Sequence, residues 1–213
     1  MADAPRIGVL ALQGNVIEHL RALEEVDAES EPVKTREDLA GVSGLVIPGG
    51  ESTTVMKLLD RFDLAQPIRD RVGCGMPLWG TCMGLIVTAH DVVEMPGQPT
   101  LDLLDVSVRR NAFGRQAASA EVDLAIPVLG PQPFPAIFIR APWIERTGPS
   151  VEVLATLDGH VVLVRQAHVL GSSFHPEMSP DRRVHRYFLK MVASAPLSTE
   201  SGRGAIGKQS TAA

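Results

Sequence analysis

Cys82 stands within Gly80-Thr81-Cys82-Met83-Gly84, and far downstream comes His175-Pro176-Glu177. A thiol, an imidazole and a carboxylate are the parts of a nucleophilic acyl-transfer site: one attacks, the second carries protons, the third orients the second. The pattern G-x-C-x-G has the form of a nucleophile elbow, a sharp strand-to-helix turn whose small neighbours let the reactive side chain be pushed out of the sheet. A helix starting at that turn sets its positive end near the sulfur and favours thiolate over thiol. The competing reading is a buried cysteine that merely packs, a common state of free cysteines. The His-Pro-Glu stretch weighs against it. Two positions apart in an extended segment, His175 and Glu177 share a face, so Glu177 can accept from one ring nitrogen while the other faces Cys82. Their bland alternative is a surface pair flanking a proline turn.

Acyl transfer also builds an oxyanion, and removing one preorganised donor for it typically costs about 2.7–4 kcal/mol. Pro48-Gly49-Gly50 can bring backbone close to a substrate because glycine has no side chain in the way. The backbone N–H groups of Gly50 and of Met83, the residue after the nucleophile, are the expected donors, although Pro-Gly-Gly could equally make an ordinary turn. Cys74, in Val72-Gly73-Cys74-Gly75, reads as structural rather than reactive. His19, His90, His160, His168 and His185 show no metal-ligand spacing with cysteines or carboxylates, so no metal site is expected. Neither G-x-G-x-x-G nor a P-loop occurs, which leaves a nucleotide site, and any cofactor, without support.

These residues need a scaffold. Ile7–Leu12 and Gly44–Ile47 read as short apolar strands, and Pro77–Trp79 as a third that runs into the elbow. Helical patterns follow over Val16 to about Val26, after Glu51-Ser52-Thr53-Thr54 with its capping oxygens, over Leu64–Val72, and from Leu85 to about Ala89. Alternating strands and helices predict an α/β fold with three layers, a mostly parallel central sheet covered by helices on both faces. From Thr100 to Val169 shorter strands (106–108, 120–124, 136–139, 151–157, 160–166) with frequent turns predict antiparallel strands at the sheet edge. Val169–Phe174 returns to the core and 181–193 closes as a helix. In a parallel sheet the ends carrying Gln13-Gly14, Pro48–Ser52 and the Cys82 elbow fall on one edge, where open α/β folds bind ligands.

Residues 1–195 are expected to form one domain, and the Ser-, Thr-, Gly- and Ala-rich stretch 196–213 a disordered tail. The chain of 213 residues is 45% apolar and 21% charged, so an ordinary core is expected; with two Trp, one Tyr and six Phe it rests on aliphatic side chains. A net charge of −5 without basic runs argues against nucleic acid. The N-terminus lacks signal-peptide character, and no stretch reaches the roughly 18 apolar residues of a membrane span. Two cysteines make no disulfide framework, and a reducing cytoplasm is the simplest setting.

Six stretches together resemble the class I (triad) glutamine amidotransferases, and more narrowly the glutaminase subunits of pyridoxal 5′-phosphate synthases. They are Ile7–Gly14, Pro48–Thr54, Gly80–Ile86, Arg110-Asn111-Ala112-Phe113-Gly114-Arg115-Gln116, Phe138–Pro142 and Ser173–Glu177, in order from residue 6 to about 192. The triad stretches are shared by the wider superfamily; 110–116 and 138–142 are much more specific to this subunit. The resemblance implies that Cys82 attacks the carboxamide of L-glutamine, that His175 moves protons and Glu177 orients it, and that a γ-glutamyl thioester, ammonia and glutamate result. It implies glutamine binding by Gly50, Glu51, Ser52, Arg110, Ile139 and Arg140, and a guanidinium such as Arg110 suits an α-carboxylate. It also implies a (β/α)₈-barrel synthase partner that receives the ammonia through a channel for pyridoxal 5′-phosphate (vitamin B6) synthesis, in assemblies of twelve of each subunit. Partner docking would reorganise the oxyanion site near Gln13 and Gly14. One departure is Met83, where the family usually has alanine; its backbone N–H is retained. The alternatives are a glutaminase of another pathway, sharing the triad but not 110–116 and 138–142, or a silent regulatory subunit, against which the intact triad speaks.

Overall fold

The computed structural model describes residues 5–110 and 119–195. The first half alternates strands and helices: β1 (Ile7–Leu10), α1 (Val16–Glu24), β2 (Ser30–Val33), α2 (Arg36–Ala40), β3 (Gly44–Ile47), α3 (Ser52–Arg61), α4 (Ala65–Gly73), β4 (Leu78–Thr81) and α5 (Met83–Thr88). The second half is mostly strands: β5 (Ala89–Val92), β6 (Leu104–Arg109), β7 (Ser119–Leu124), β8 (Phe134–Ile139), β9 (Trp143–Thr147), β10 (Glu152–Leu157), β11 (His160–Gln166) and β12 (Val169–Ser172), closed by α6 (Arg183–Ser194).

One ten-stranded sheet runs β2-β1-β3-β4-β12-β11-β9-β6-β5, with β10 also paired to β11. From β2 to β12 every pairing is parallel. From β12 through β11 and β9 to β6 the pairings are antiparallel. The predicted three-layer α/β architecture with antiparallel strands at one side is thus observed. Strands β7 and β8, however, form a separate two-stranded ribbon rather than an extension of the edge.

The central strands are buried on both faces, and their residues divide by period two. Leu45, Ile47 and Leu78 pack with α2–α5 residues such as Leu39, Val55, Leu59, Ile68 and Leu85. On the other face Ile7, Val9, Val46 and Trp79 pack with Leu23 of α1, Val184, Phe188 and Val192 of α6, and Phe134 and Phe138 of the ribbon.

Strand β2 has an evident reason for not reading as a strand: it is Ser-Glu-Pro-Val, and Pro32 cannot donate to a ladder. It is tolerated because β2 is the sheet's outer strand.

The pairing of β4 with β12 matters most for function. Leu78 faces Val169 and Thr81 faces Ser172 in parallel register, and the buried Trp79 indole N–H donates to Ser172 Oγ at 3.1 Å. Both strands therefore leave the sheet side by side and at the same level, β4 into Cys82 and β12 into the segment that reaches His175.

Candidate active site

Cys82 sits between β4 and α5 with φ 50° and ψ −104°. A residue with a side chain held at such a positive φ typically costs about 1–3 kcal/mol, which the surroundings must offset. The flanking glycines explain how the turn closes. A Cβ on Gly80 would lie 2.5 Å from the carbonyl of Gly84, and one on Gly84 only 2.0 Å from the Ile47 carbonyl oxygen. The Cys82 N–H donates to Ser172 O at 2.7 Å, tying the elbow to β12. The thiol is buried and donates to Ile139 O at 3.8 Å. Cys74, expected to be structural rather than reactive, is exposed at the C-terminal end of α4.

His175 and Glu177 come together in a turn, not in the extended segment predicted. Met178 N–H donates back to His175 O at 3.2 Å. The turn keeps the expected contact: His175 Nδ1–H donates to Glu177 Oε1 at 2.7 Å. The same oxygen accepts from Asn15 Nδ2 at 2.9 Å. With Nδ1 committed, Nε2 is the nitrogen left to exchange protons. His175 N–H is fixed by Ile137 O on the ribbon at 2.7 Å. Gly49 marks where imidazole and thiol converge, since a Cβ there would lie 2.5 Å from His175 Cε1 and 3.6 Å from Cys82 Cβ.

Both members of the pair favour their charged forms despite burial. Burial opposes the imidazolium, but the Cys82 sulfur and the Glu177 carboxylate outweigh it and push His175 up to about 10. Burial likewise opposes the Glu177 anion, but His19, His175 and Asn15 outweigh that and hold it at about 2.

The other expected site residues surround this centre. Met83 opens α5, so its N–H has no partner within the helix. Gly50 precedes Glu51, which takes the N-cap position of α3; no side chain caps that helix, contrary to the capping expected of Glu51–Thr54. Gln13 Oε1 accepts from Glu51 N–H at 2.7 Å and presses against Gly50, where a Cβ would come within 2.5 Å of it. Gly14 has φ +107°, and a Cβ there would lie 1.8 Å from Gly49 O, so only glycine lets the two loops interlock.

Arg110 Nη2 donates to Glu51 Oε1 at 3.0 Å, and its Nη1 lies 3.5 Å from Gln98 Oε1. Buried Ser52 accepts from Gln98 at 3.4 Å. Ile139 borders the thiol through its carbonyl, and Arg140 follows it, exposed, with φ 46°. The rest of the 110–116 stretch, and the tail from 196, lie outside the described residues. A groove of about 740 Å³ beside Thr53, Met56, Lys57, Met95 and Gln98 shares Gln98 with Arg110 but includes neither Cys82 nor His175.

Two residues at the centre escaped sequence reasoning. Asn15 occupies the N-cap position of α1 without capping it, because its amide goes to Glu177. His19 is fully buried, with Nε2 3.3 Å from Glu177 Oε2 and 3.2 Å from Thr81 Oγ1. A signal was present: Asn15 and His19 are four apart, hence on one helix face, directly after the Gln13-Gly14 strand end.

A buried cysteine elbow thus lies beside a His-Glu pair at the C-terminal edge of a mixed three-layer sheet, the arrangement that the sequence resemblance to glutamine amidotransferases led us to expect. A crystal structure of a glutamine amidotransferase superposes with a TM-score of 0.84 at 48% identity, covering 88% of this chain and 98% of that one. The PurLQS structure from Thermotoga maritima shares the fold alone, with a TM-score of 0.63 at 17% identity over 88% of this chain and 99% of that one. The chain belongs to the SNO glutamine amidotransferase family, whose model matches residues 9–194. It is 52% identical over 199 residues to the pyridoxal 5′-phosphate synthase subunit PdxT of Acidothermus cellulolyticus, covering 91% of this chain and 96% of that protein. It is also 52% identical to that of Streptomyces coelicolor, covering 90% and 96%. No helix among the described residues is long and apolar enough to cross a membrane.

Proposed function

We infer that the chain is the glutaminase subunit of a pyridoxal 5′-phosphate synthase, supplying ammonia from L-glutamine to a separate synthase subunit. The observation that carries the chemistry is Cys82 at a strained elbow beside His175, whose Nδ1–H is fixed by Glu177 at 2.7 Å. The Cys82 thiol passes its proton to His175 as the sulfur attacks the carboxamide carbon, and the resulting oxyanion faces the N–H groups of Gly50 and Met83. His175 passes a proton to the departing nitrogen, which leaves as ammonia. It then takes a proton from water, whose oxygen attacks the thioester carbon, and returns it to the sulfur as glutamate departs. Glu177 stays ionised and holds the imidazole in one tautomer.

Glu51 and Arg110 supply opposite charges suited to the α-ammonium and α-carboxylate of an amino acid, with Gly50, Ser52, Ile139 and Arg140 around them. The partner is a barrel-type synthase subunit, with twelve of each in the assembly, and Gln13 and Gly14 form the part of the site that its docking rearranges. The test is glutamate release from glutamine in the presence of the synthase subunit. Cys82→Ala loses at least about 10³-fold in rate, as loss of a nucleophile does, while Cys74→Ser stays within about twofold, since surface changes away from the site are nearly neutral. Full activity in Cys82→Ala, or loss in Cys74→Ser, overturns the nucleophile assignment.

A further inference from the structure

Beneath the His175–Glu177 pair lies a second layer of polar groups. Glu177 Oε1 accepts from both His175 and Asn15. Oε2 is fully enclosed and accepts no hydrogen bond among the described residues, and its near neighbour is His19 Nε2 at 3.3 Å. On its other side His19 Nδ1 lies 3.4 Å from His185 Nε2 of α6, and Trp79 packs edge-on against both rings.

The hydrogen positions follow from chemistry. A lone pair on His19 Nε2 would face a carboxylate oxygen and be repelled, so Nε2 carries the proton. His19 Nδ1 is then an acceptor and takes the His185 Nε2–H. His185 Nδ1, which has no partner among the described residues, is left with a lone pair rather than an unpaired N–H. The polarity thus runs one way, from the His185 donor to His19, whose Nε2–H is shared between Thr81 Oγ1 at 3.2 Å and the electrostatic pull of Glu177 Oε2 at 3.3 Å. His19 Nε2 is also 3.2 Å from Thr81 Oγ1, the residue before the nucleophile.

We propose that His19 is a positioning residue for the glutaminase reaction, tying the second oxygen of Glu177 to the β4 strand that ends in Cys82, with His185 fixing its tautomer. The inference rests on the Cys82–His175–Glu177 reading. Neutrality suits this role: burial holds His19 below the usual imidazole range, with His175 and Arg182 acting the same way and Glu177 and Glu18 opposing.

The test uses the complex with the synthase subunit and three substitutions of His19. Outer-shell partners of functional imidazoles and carboxylates typically contribute about 10–100-fold in metal sites, and a kcat loss of at least about tenfold is expected for His19→Leu, with KM within about twofold. The acid limb of its kcat/KM profile moves to higher pH, because Glu177 has lost the donor beside Oε2. His19→Gln, whose amide nitrogen reaches the Nε2 position, restores most of kcat and the wild-type limb. His19→Asn, whose amide reaches only the Nδ1 position, does not. Gln and Asn variants of equal kcat and equal pH profile overturn the proposal even if His19→Leu fails to fold, as does a wild-type profile in folded His19→Leu. Activity remaining in a parallel Cys82→Ala control removes the triad reading and this inference with it; a wild-type-like His19→Leu beside a dead Cys82→Ala removes this inference alone.

Discussion

Glu177 is an anion in a place where burial alone would keep a carboxyl neutral, and His175 is the counter-case of a buried imidazole that favours its cation. Each shift is a statement about stability. Glu177 is depressed from 4.5 to about 2, so its contribution is complete above about pH 4.5 and is lost as pH falls toward 2. His175 is raised from 6.5 to about 10, so its contribution is complete below about pH 6.5 and is lost as pH rises through 10. Both are complete only between these windows. Thermal melts of wild type and Glu177→Gln should therefore differ most between about pH 4.5 and 6.5, with the gap narrowing toward pH 10 and again toward pH 2. A gap that stays constant from pH 5 to 10 would show that the pair is not coupled in this way. At this scale the sequence already displayed the elbow and the His-Pro-Glu stretch, because their spacing is local. Asn15 and His19 were harder to see. Each has an ordinary role available to it, N-cap and core imidazole, and only the fold reveals that both side chains turn to Glu177 instead.

The site is assembled by elements that leave the sheet together. Parallel pairing of β4 with β12 puts Thr81 opposite Ser172, and the antiparallel ribbon brings the carbonyls of Ile137 and Ile139 against His175 and Cys82. The elbow itself depends on α5 packing directly on β3 through a glycine: a Cβ on Gly84 would collide with the Ile47 carbonyl, a backbone atom unable to move aside like a side-chain tip. Gly84→Ala should destabilise the fold by about 1–3 kcal/mol, the usual range for overpacking, and lower glutaminase activity more than stability alone explains, because α5 carries Met83 and the turn carries Cys82. Chemical denaturation alongside steady-state kinetics checks this; unchanged stability and activity would mean that the elbow tolerates a wider β3–α5 spacing. The sequence revealed the buried parallel strands because they are continuous apolar runs. It hid β2, whose Pro32 is allowed only at an edge, and β9, Trp143–Thr147, which has a single buried side chain and reads as loop. The side-chain cap expected for α3 is absent because Glu51 is held by Gln13 through its backbone and by Arg110 through its carboxylate.

Taken as a whole molecule, the subunit combines a buried cysteine elbow with two loops that lock each other. Gln13 occupies the Glu51 N–H, Asn15 N–H donates to Gly49 O at 3.1 Å, and Gly14 threads against the same carbonyl. Gly50, the proposed oxyanion donor, lies inside this clasp, so rearranging it requires movement of the Gln13–Asn15 segment, a change that a docked partner can stabilise by binding one arrangement better than the other. The sharpest whole-complex test separates making ammonia from using it. The complex of Cys82→Ala with the synthase subunit should form no pyridoxal 5′-phosphate from glutamine, yet form it at near wild-type rate when ammonium salt is added with the synthase subunit's other substrates. In the wild-type complex glutamine should be the better nitrogen source, and glutamate release should rise at least about tenfold when the synthase subunit is added, a differential binding of about 1.4 kcal/mol between the two loop arrangements. Failure of ammonium to rescue Cys82→Ala would mean that the chain does more for the synthase than deliver nitrogen. Glutamate release that ignores the synthase subunit would mean that the clasp at Gln13 and Gly14 already holds the working arrangement.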